Sequence, residues 1–119
     1  SSSVKIPIYG LGVSNTVRGA IASWSKTLSL EVGEFGVTVN NILPGFIETD
    51  RLNQITANKA TATNRQRSEV EKEMISTIPA RRFGTSHELG ALATFLCSDL
   101  TAYINGTNIP IDGGKTGSF

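Results

Sequence analysis

Val39-Asn40-Asn41-Ile42-Leu43-Pro44-Gly45-Phe46-Ile47-Glu48-Thr49 is the stretch whose reading decides the fold. Together with Val37-Thr38 before it, its first half is rich in β-branched residues and stops at Pro44-Gly45, so residues 37–43 are expected to form a buried parallel strand that runs into a sharp turn. Upstream, between residues 14 and 32, the larger apolar residues are Val17, Ile21, Trp24, Leu28 and Val32, with Ala20 filling the gap. Spacings of three and four put them on one helical face. Ser14 is the expected N-cap of this helix, because its hydroxyl can accept from a free N–H of the first turn, and Gly33 and Gly36 supply the stop.

Downstream, the polar run of residues 50–67, rich in Thr, Asn and Ala, has no clean period. It reads as a flap-like connection that a short helix or a mobile loop would serve equally. Val70, Met74, Ile75 and Ile78 then predict a helix ending near Pro79. Thr85-Ser86-His87-Glu88 has capping-box spacing and opens another helix carrying Leu89, Leu92, Ala93 and Leu96. Asn108-Ile109-Pro110-Ile111 predicts a short strand before Asp112-Gly113-Gly114, with Pro110 marking an exposed edge or strand end. Strands alternating with covering helices give an α/β unit.

Composition narrows the function. The chain has 119 residues, 39% hydrophobic and 18% charged, with a formal net charge of +1. This is the balance of a water-soluble domain, and it leaves no basic footprint for nucleic acid or an anionic membrane. A single Cys (Cys97) and a single His (His87) exclude an internal disulfide and leave too few ligands for a Cys/His zinc site. No metal is expected, Cys97 is expected in or near the core, and Arg81, Arg82 and His87 are expected at the surface or at a helix start. No run approaches the ~20 apolar residues of a membrane span, and Ser1-Ser2-Ser3-Val4-Lys5 lacks the pattern of a signal peptide, so a cytoplasmic location is expected. Asn105-Gly106-Thr107 reads as a turn before the last strand, not as a glycosylation site.

The stretch quoted first follows V-N-x-x-x-P-G-x-I-x-T, and on it the chain resembles the short-chain dehydrogenase/reductase family. Three further stretches agree in order and spacing: Trp24-Ser25-Lys26-Thr27-Leu28-Ser29-Leu30-Glu31, Ile78-Pro79-Ala80-Arg81-Arg82-Phe83-Gly84-Thr85, and Tyr103-Ile104-Asn105-Gly106-Thr107 leading to Asp112-Gly113-Gly114. Together they cover nearly the whole chain. The resemblance implies the C-terminal half of a doubly wound, Rossmann-type parallel sheet within a single domain. The family's Gly-rich pyrophosphate turn has no counterpart in residues 1–119, and residues 50–78 would be a mobile segment on the substrate side.

In that family hydride passes between NAD or NADP and a carbonyl or secondary alcohol. A Tyr handles the proton, and a Lys four residues later, on the same helical face, lowers the phenol's pKa and holds the nicotinamide ribose. The resemblance puts Ser14 at the Tyr position and Arg18 at the Lys position, so the chain departs at both. Serine has no proton acidic near pH 7, whereas Arg18 retains a fixed charge and ribose donors. Tyr9, five residues before Ser14 in the Gly-rich segment Tyr9-Gly10-Leu11-Gly12, could bend a phenol back. Alternatively, Ser14 or a water relays the proton, or the protein binds without reacting. Ser3 best matches the family's carbonyl-orienting serine, with Ser2 in reserve.

By the same resemblance Pro44 and Gly45 admit the nicotinamide, the Ile47 backbone meets its carboxamide, and the Thr49 hydroxyl bonds carboxamide or pyrophosphate. The branch most resembled is that of the 3-oxoacyl-carrier-protein reductases. It implies a small-molecule carbonyl or alcohol substrate and a homodimer or homotetramer closed partly by the Trp24 face. The competing expectation is a catalytically degenerate nucleotide-binding or scaffolding subunit.

Overall fold

The computed structural model describes residues 1–117. Four α-helices and two short strands follow one another in the order α1 (Gly12–Val32), β1 (Asn41–Pro44), α2 (Asp50–Thr63), α3 (Arg67–Ser76), α4 (Ser86–Leu96) and β2 (Asn108–Ile111), with 3-10 turns at Ser2–Val4, Gly33–Phe35 and Asp99–Thr101. β1 and β2 pair in parallel, Asn41 opposite Asn108 and Pro44 opposite Ile111. The fold is therefore α/β with a parallel sheet, as expected. Pro110 is exposed opposite Leu43, and the Asn41 side chain donates to Asn108 Oδ1 at 2.9 Å. The chain is elongated, 55 × 28 × 24 Å with a radius of gyration of 16.3 Å, against about 13–14 Å for a compact chain of this length.

The long helix departs from the expected reading in two ways. It begins at Gly12 with Leu11 as N-cap and no capping side chain, so Ser14 lies inside the first turn and is not the cap. Asn15 fixes this start instead, exchanging two hydrogen bonds with the backbone of Ile8 (3.3 and 2.8 Å). The buried face of α1 is Ala22, Ser25 and Ser29, whereas Val17, Ile21 and Trp24 are exposed. At Ser29 a small residue is required by close approach of the 105–106 loop. The Asn105 side chain donates to Ser29 O at 2.9 Å, and a Cβ on Gly106, whose φ is +67°, would fall 2.5 Å from Ser29 Oγ. Gly36, in the left-handed region at φ 74°, closes the Gly33–Phe35 turn after the helix.

The strand is shorter than residues 37–43. It starts at Asn41 because Val39 bonds outward, its N–H to Asn105 Oδ1 (2.8 Å) and its carbonyl to the Gly106 N–H (2.9 Å). The polar run beyond it forms α2. Thr49 caps that helix, and Leu52, Thr56 and Ala60, each four apart, are its buried face. Leu52 and Ala60 join Val70 and Met74 of α3 in the main apolar cluster, flanked by Phe46 and Phe83, whose rings meet edge to face at 6.2 Å. Lys59 and Arg65 both bind Glu73 across the two helices. α4 opens with the expected capping box of Thr85 and Glu88. Cys97 ends that helix exposed, not near the core, since none of the residues of α4 is buried.

Candidate functional site

Parallel pairing places the C-terminal ends of β1 and β2 side by side, so the segments that follow Pro44 and Ile111 converge. Gly45 N–H donates to Ile111 O at 3.0 Å, and a Cβ on Gly45 would sit 2.6 Å from Asp112 Cβ and 2.8 Å from its Cα. Only glycine permits this approach. Asp112 in turn shapes the final turn, accepting from Gly114 N–H at 2.9 Å and Thr116 N–H at 2.8 Å. Burial pushes the Asp112 carboxyl up, but the donors from Thr116, Gly114 and Lys115 outweigh it and hold the group below the ordinary carboxylate range.

Beside this junction lies an open cleft of about 510 Å³ that brings together Ser14 and Arg18 of α1 with Pro44 and Gly45. Within α1, Arg18 Nε donates to Ser14 Oγ at 3.0 Å. The same cleft is lined by Ser1, Ser2, Ile8 and Leu11 on the N-terminal side, and by Phe46, Arg51, Ile55 and Lys115 on the other. Among the described residues its wall holds three cationic side chains and no carboxylate. Lys115 is held in place, its Nζ donating to Thr77 Oγ1 at 2.7 Å and lying 5.1 Å from the Phe46 ring centroid.

The remaining sequence candidates lie elsewhere. Ser3 is buried, 5% exposed, and its hydroxyl shares a 3.0 Å hydrogen bond with that of Ser1. Tyr9 is fully exposed and is not part of the cleft wall. Ile47 is buried and forms a parallel bridge to Gly84, in which Glu48 N–H and Gly84 N–H are the donors. That pattern turns Ile47's own N–H and carbonyl to the opposite side. The carbonyl accepts from Thr49 Oγ1 at 3.3 Å, and among the described residues the N–H has no backbone partner. Thr49 lines a separate, more acidic cleft of about 410 Å³ with Glu48, Asp50 and Glu71. Its hydroxyl also accepts from Leu52 N–H at 3.4 Å, so its capping duty is clear.

Sequence reading did not pick out Arg51, Ile55 or Lys115 as site residues. A signal was present: Arg51 and Ile55 are one turn apart at the start of the helix after Thr49, and Lys115 directly follows the double-glycine turn after β2. Among the described residues no group of three or more His, Cys, Asp or Glu could hold a metal ion.

The family model described as enoyl-(acyl carrier protein) reductase matches residues 1–116. The NADPH-dependent reductase BacG of Bacillus subtilis is 34% identical over 97% of this chain and 44% of its own length. The cyclohexanol dehydrogenase of a Rhodococcus species is 36% identical over 83% of this chain and 33% of its own. A short-chain dehydrogenase family protein of Francisella tularensis superposes with a TM-score of 0.94 at 29% identity, covering 99% of this chain and 49% of that one. The chain thus spans less than half the length of each. A match that runs almost end to end, with the parallel strands and the turn after Pro44 in place, means that the chain belongs to the short-chain dehydrogenase/reductase family.

Proposed function

We propose that the full-length protein is an NAD(P)-dependent oxidoreductase that transfers hydride between a nicotinamide cofactor and a small carbonyl or secondary alcohol substrate. The observation that carries this reading is the single cleft holding Ser14, Arg18, Pro44 and Gly45, with cations and no carboxylate in its wall. This donor set fits a dinucleotide. The Arg18 guanidinium suits its ribose oxygens and negative charge, and the Ile47 N–H, left over by the bridge to Gly84 and lying outside the walls of this cleft, would suit a carboxamide oxygen. The NADPH dependence of BacG and the alcohol chemistry named for the Rhodococcus relative support the same class.

Each residue then has a role by chemistry. Arg18 holds the ribose, with Nε committed to Ser14 and its two terminal nitrogens directed to the ligand. Pro44 and Gly45 would floor the nicotinamide; Ile47 and Thr49, outside the walls of this cleft, would offer a backbone N–H and a hydroxyl where the cofactor extends past Gly45, with Thr49 also capping α2. Ser2, which lines the cleft where Ser3 does not, orients the substrate oxygen. When bound, a reduced nicotinamide cofactor would supply the hydride for the carbonyl carbon, while the carbonyl oxygen takes a proton. Ser14, or a water bound beside it, would relay that proton from solvent, so that the serine ends the step as a neutral hydroxyl. Residues 50–78 wall the substrate side.

Among the described residues the cleft wall holds no phenol, and this favours a second reading, a nucleotide-binding subunit that no longer reacts. Calorimetric titration with NADH and NADPH, paired with turnover on a broad carbonyl panel, separates the two. Binding with turnover supports the oxidoreductase, binding without turnover supports the degenerate subunit, and no binding overturns both. The exposed Val17, Ile21 and Trp24 face of α1 is the surface through which we propose that the protein forms a homodimer or homotetramer. No helix of the described residues is long and apolar enough to cross a membrane, and a cytoplasmic location fits this reading.

A further inference from the structure

We infer that the substrate is an oxo acid, a carbonyl compound with a carboxylate and an apolar body, whose carboxylate is held by Arg51 and Lys115. The inference rests on the oxidoreductase reading and extends it to substrate class. Of the three cations in the cleft, Arg18 is already assigned to the ribose, which leaves two charges that the cofactor's nicotinamide end does not require. Arg51 and Ile55 stand one turn apart on α2 and both line the cleft, beside the interior face made by Leu52, Thr56 and Ala60 and turned away from it. Cation and apolar side chain therefore enter the same space together. Lys115 reaches it from the turn after β2, fixed by Thr77 and Phe46, so one cation is pre-positioned and the other extends from a helix start.

The pairing pattern supports the assignment. Lys59, Arg65, Arg67 and Arg82 each have a glutamate partner, whereas among the described residues none of the three cleft cations has one. Two unneutralised cations facing an apolar wall attract an anion and disfavour a neutral or cationic group at the same point. Ile8, Leu11, Ile55 and Phe46 supply surface for the rest of the molecule. The same two cations could instead serve a cofactor phosphate, and the experiment separates these sources.

The probe pair is 2-oxo-4-phenylbutanoate and its ethyl ester, which share a carbonyl and an apolar body and differ in charge. Binding of each to the cofactor-loaded full-length protein is measured by calorimetry, and kcat/KM with NADPH is measured alongside. The wild type is expected to prefer the acid, and Arg51→Gln with Lys115→Gln to reduce the acid-over-ester preference by roughly 10- to 100-fold, the scale of charge-assisted hydrogen bonds. Affinity for NADPH is read separately on each variant. A wild-type preference for the ester, an unchanged preference in the double variant, or a loss of NADPH affinity matching the loss for the acid would each overturn the proposal. Absence of turnover on both probes with acid-selective binding intact would count against the oxidoreductase reading while upholding the anion site.

Discussion

Arg18 Nε donates to Ser14 Oγ at 3.0 Å, one turn apart on the same face of α1. The bond orients the guanidinium and leaves its two terminal nitrogens for a ligand, while Ser14 keeps its hydroxyl hydrogen. In the proposed mechanism, cofactor binding and proton delivery would be coupled through these two adjacent side chains.

Arg18→Ala is expected to weaken NADPH binding by about 1.5–3 kcal/mol, the range for hydrogen bonds from a charged donor. Ser14→Tyr combined with Arg18→Lys is expected to raise turnover by roughly 10²–10⁴-fold, because a phenol with an ammonium four residues on is a better general acid than serine or water. Tyr9→Phe, at a fully exposed ring outside the cleft wall, is expected to change turnover less than about twofold. A large loss in Tyr9→Phe would show that the segment around Gly10 folds back during the reaction.

Thr49 performs two tasks that substitution can separate. Thr49→Ala removes the cap on α2 and is expected to lower stability by about 1 kcal/mol, measured by urea denaturation. If the hydroxyl also bonds the cofactor, calorimetry should show about 1 kcal/mol weaker binding as well. Thr49→Ser should restore both; recovery of stability without recovery of affinity would confine Thr49 to capping.

Gly45 and Gly90 give a paired test of packing. A Cβ at Gly45 would collide with Asp112 Cβ and Cα, so Gly45→Ala is expected to cost about 1–3 kcal/mol as the two strand ends are forced apart. At Gly90, inside α4, an added Cβ meets nothing within 4 Å, and Gly90→Ala is expected to stabilise by about 0.5–1 kcal/mol. Opposite signs from the same chemical change would tie the Gly45 effect to the junction itself.

These residues also show what the sequence made legible. Pro44-Gly45 announced a strand ending in a turn, because proline and glycine restrict and free the backbone in ways independent of the rest of the fold. The capping box at Thr85 and Glu88 was equally local. The orientation of α1 was not, since Val17, Ile21 and Trp24 have the right spacing for a buried face, yet the helix turns Ala22, Ser25 and Ser29 inward, and at Ser29 the loop at Gly106 packs too closely for a larger side chain. Helix α2 escaped a periodicity search because Thr56 serves as a core residue, its hydroxyl bonded back to Asn53 O at 2.9 Å. Arg51 and Lys115 were invisible as a pair because only the parallel register of two distant strands brings their segments together.

The exposed α1 face leads to an expectation about assembly. Trp24 is 63% exposed and adjoins Ile21 and Val17 on one stripe, an arrangement suited to an isologous contact. Light scattering of the full-length protein at micromolar concentration should give a dimeric or tetrameric mass, and Trp24→Glu should reduce it by placing two like charges near the symmetry axis. A monomeric wild type would remove this surface from the proposed assembly.

Acid should weaken the fold through two exposed glutamates. Lys59 and Arg65 together hold the Glu73 carboxyl down, from 4.5 to about 2. Arg82, with help from the Thr85 N–H, does the same for Glu88. Each group therefore binds fewer protons folded than unfolded, so its contribution is complete above about pH 4.5 and is lost as pH falls through about 2. Because both carboxylates are solvated, the effect should shrink with added salt. Thermal unfolding followed from pH 7 to pH 2 should show the midpoint declining over that window, and Glu73→Gln and Glu88→Gln should each flatten the decline. Glutamine at 88 keeps a neutral capping-box acceptor, so flattening there reports the Arg82 ion pair together with the charge that strengthens the Thr85 N–H bond, and not outright loss of the cap. Curves for both variants running parallel to the wild type would assign acid sensitivity to other carboxylates, with Asp112 the next to substitute.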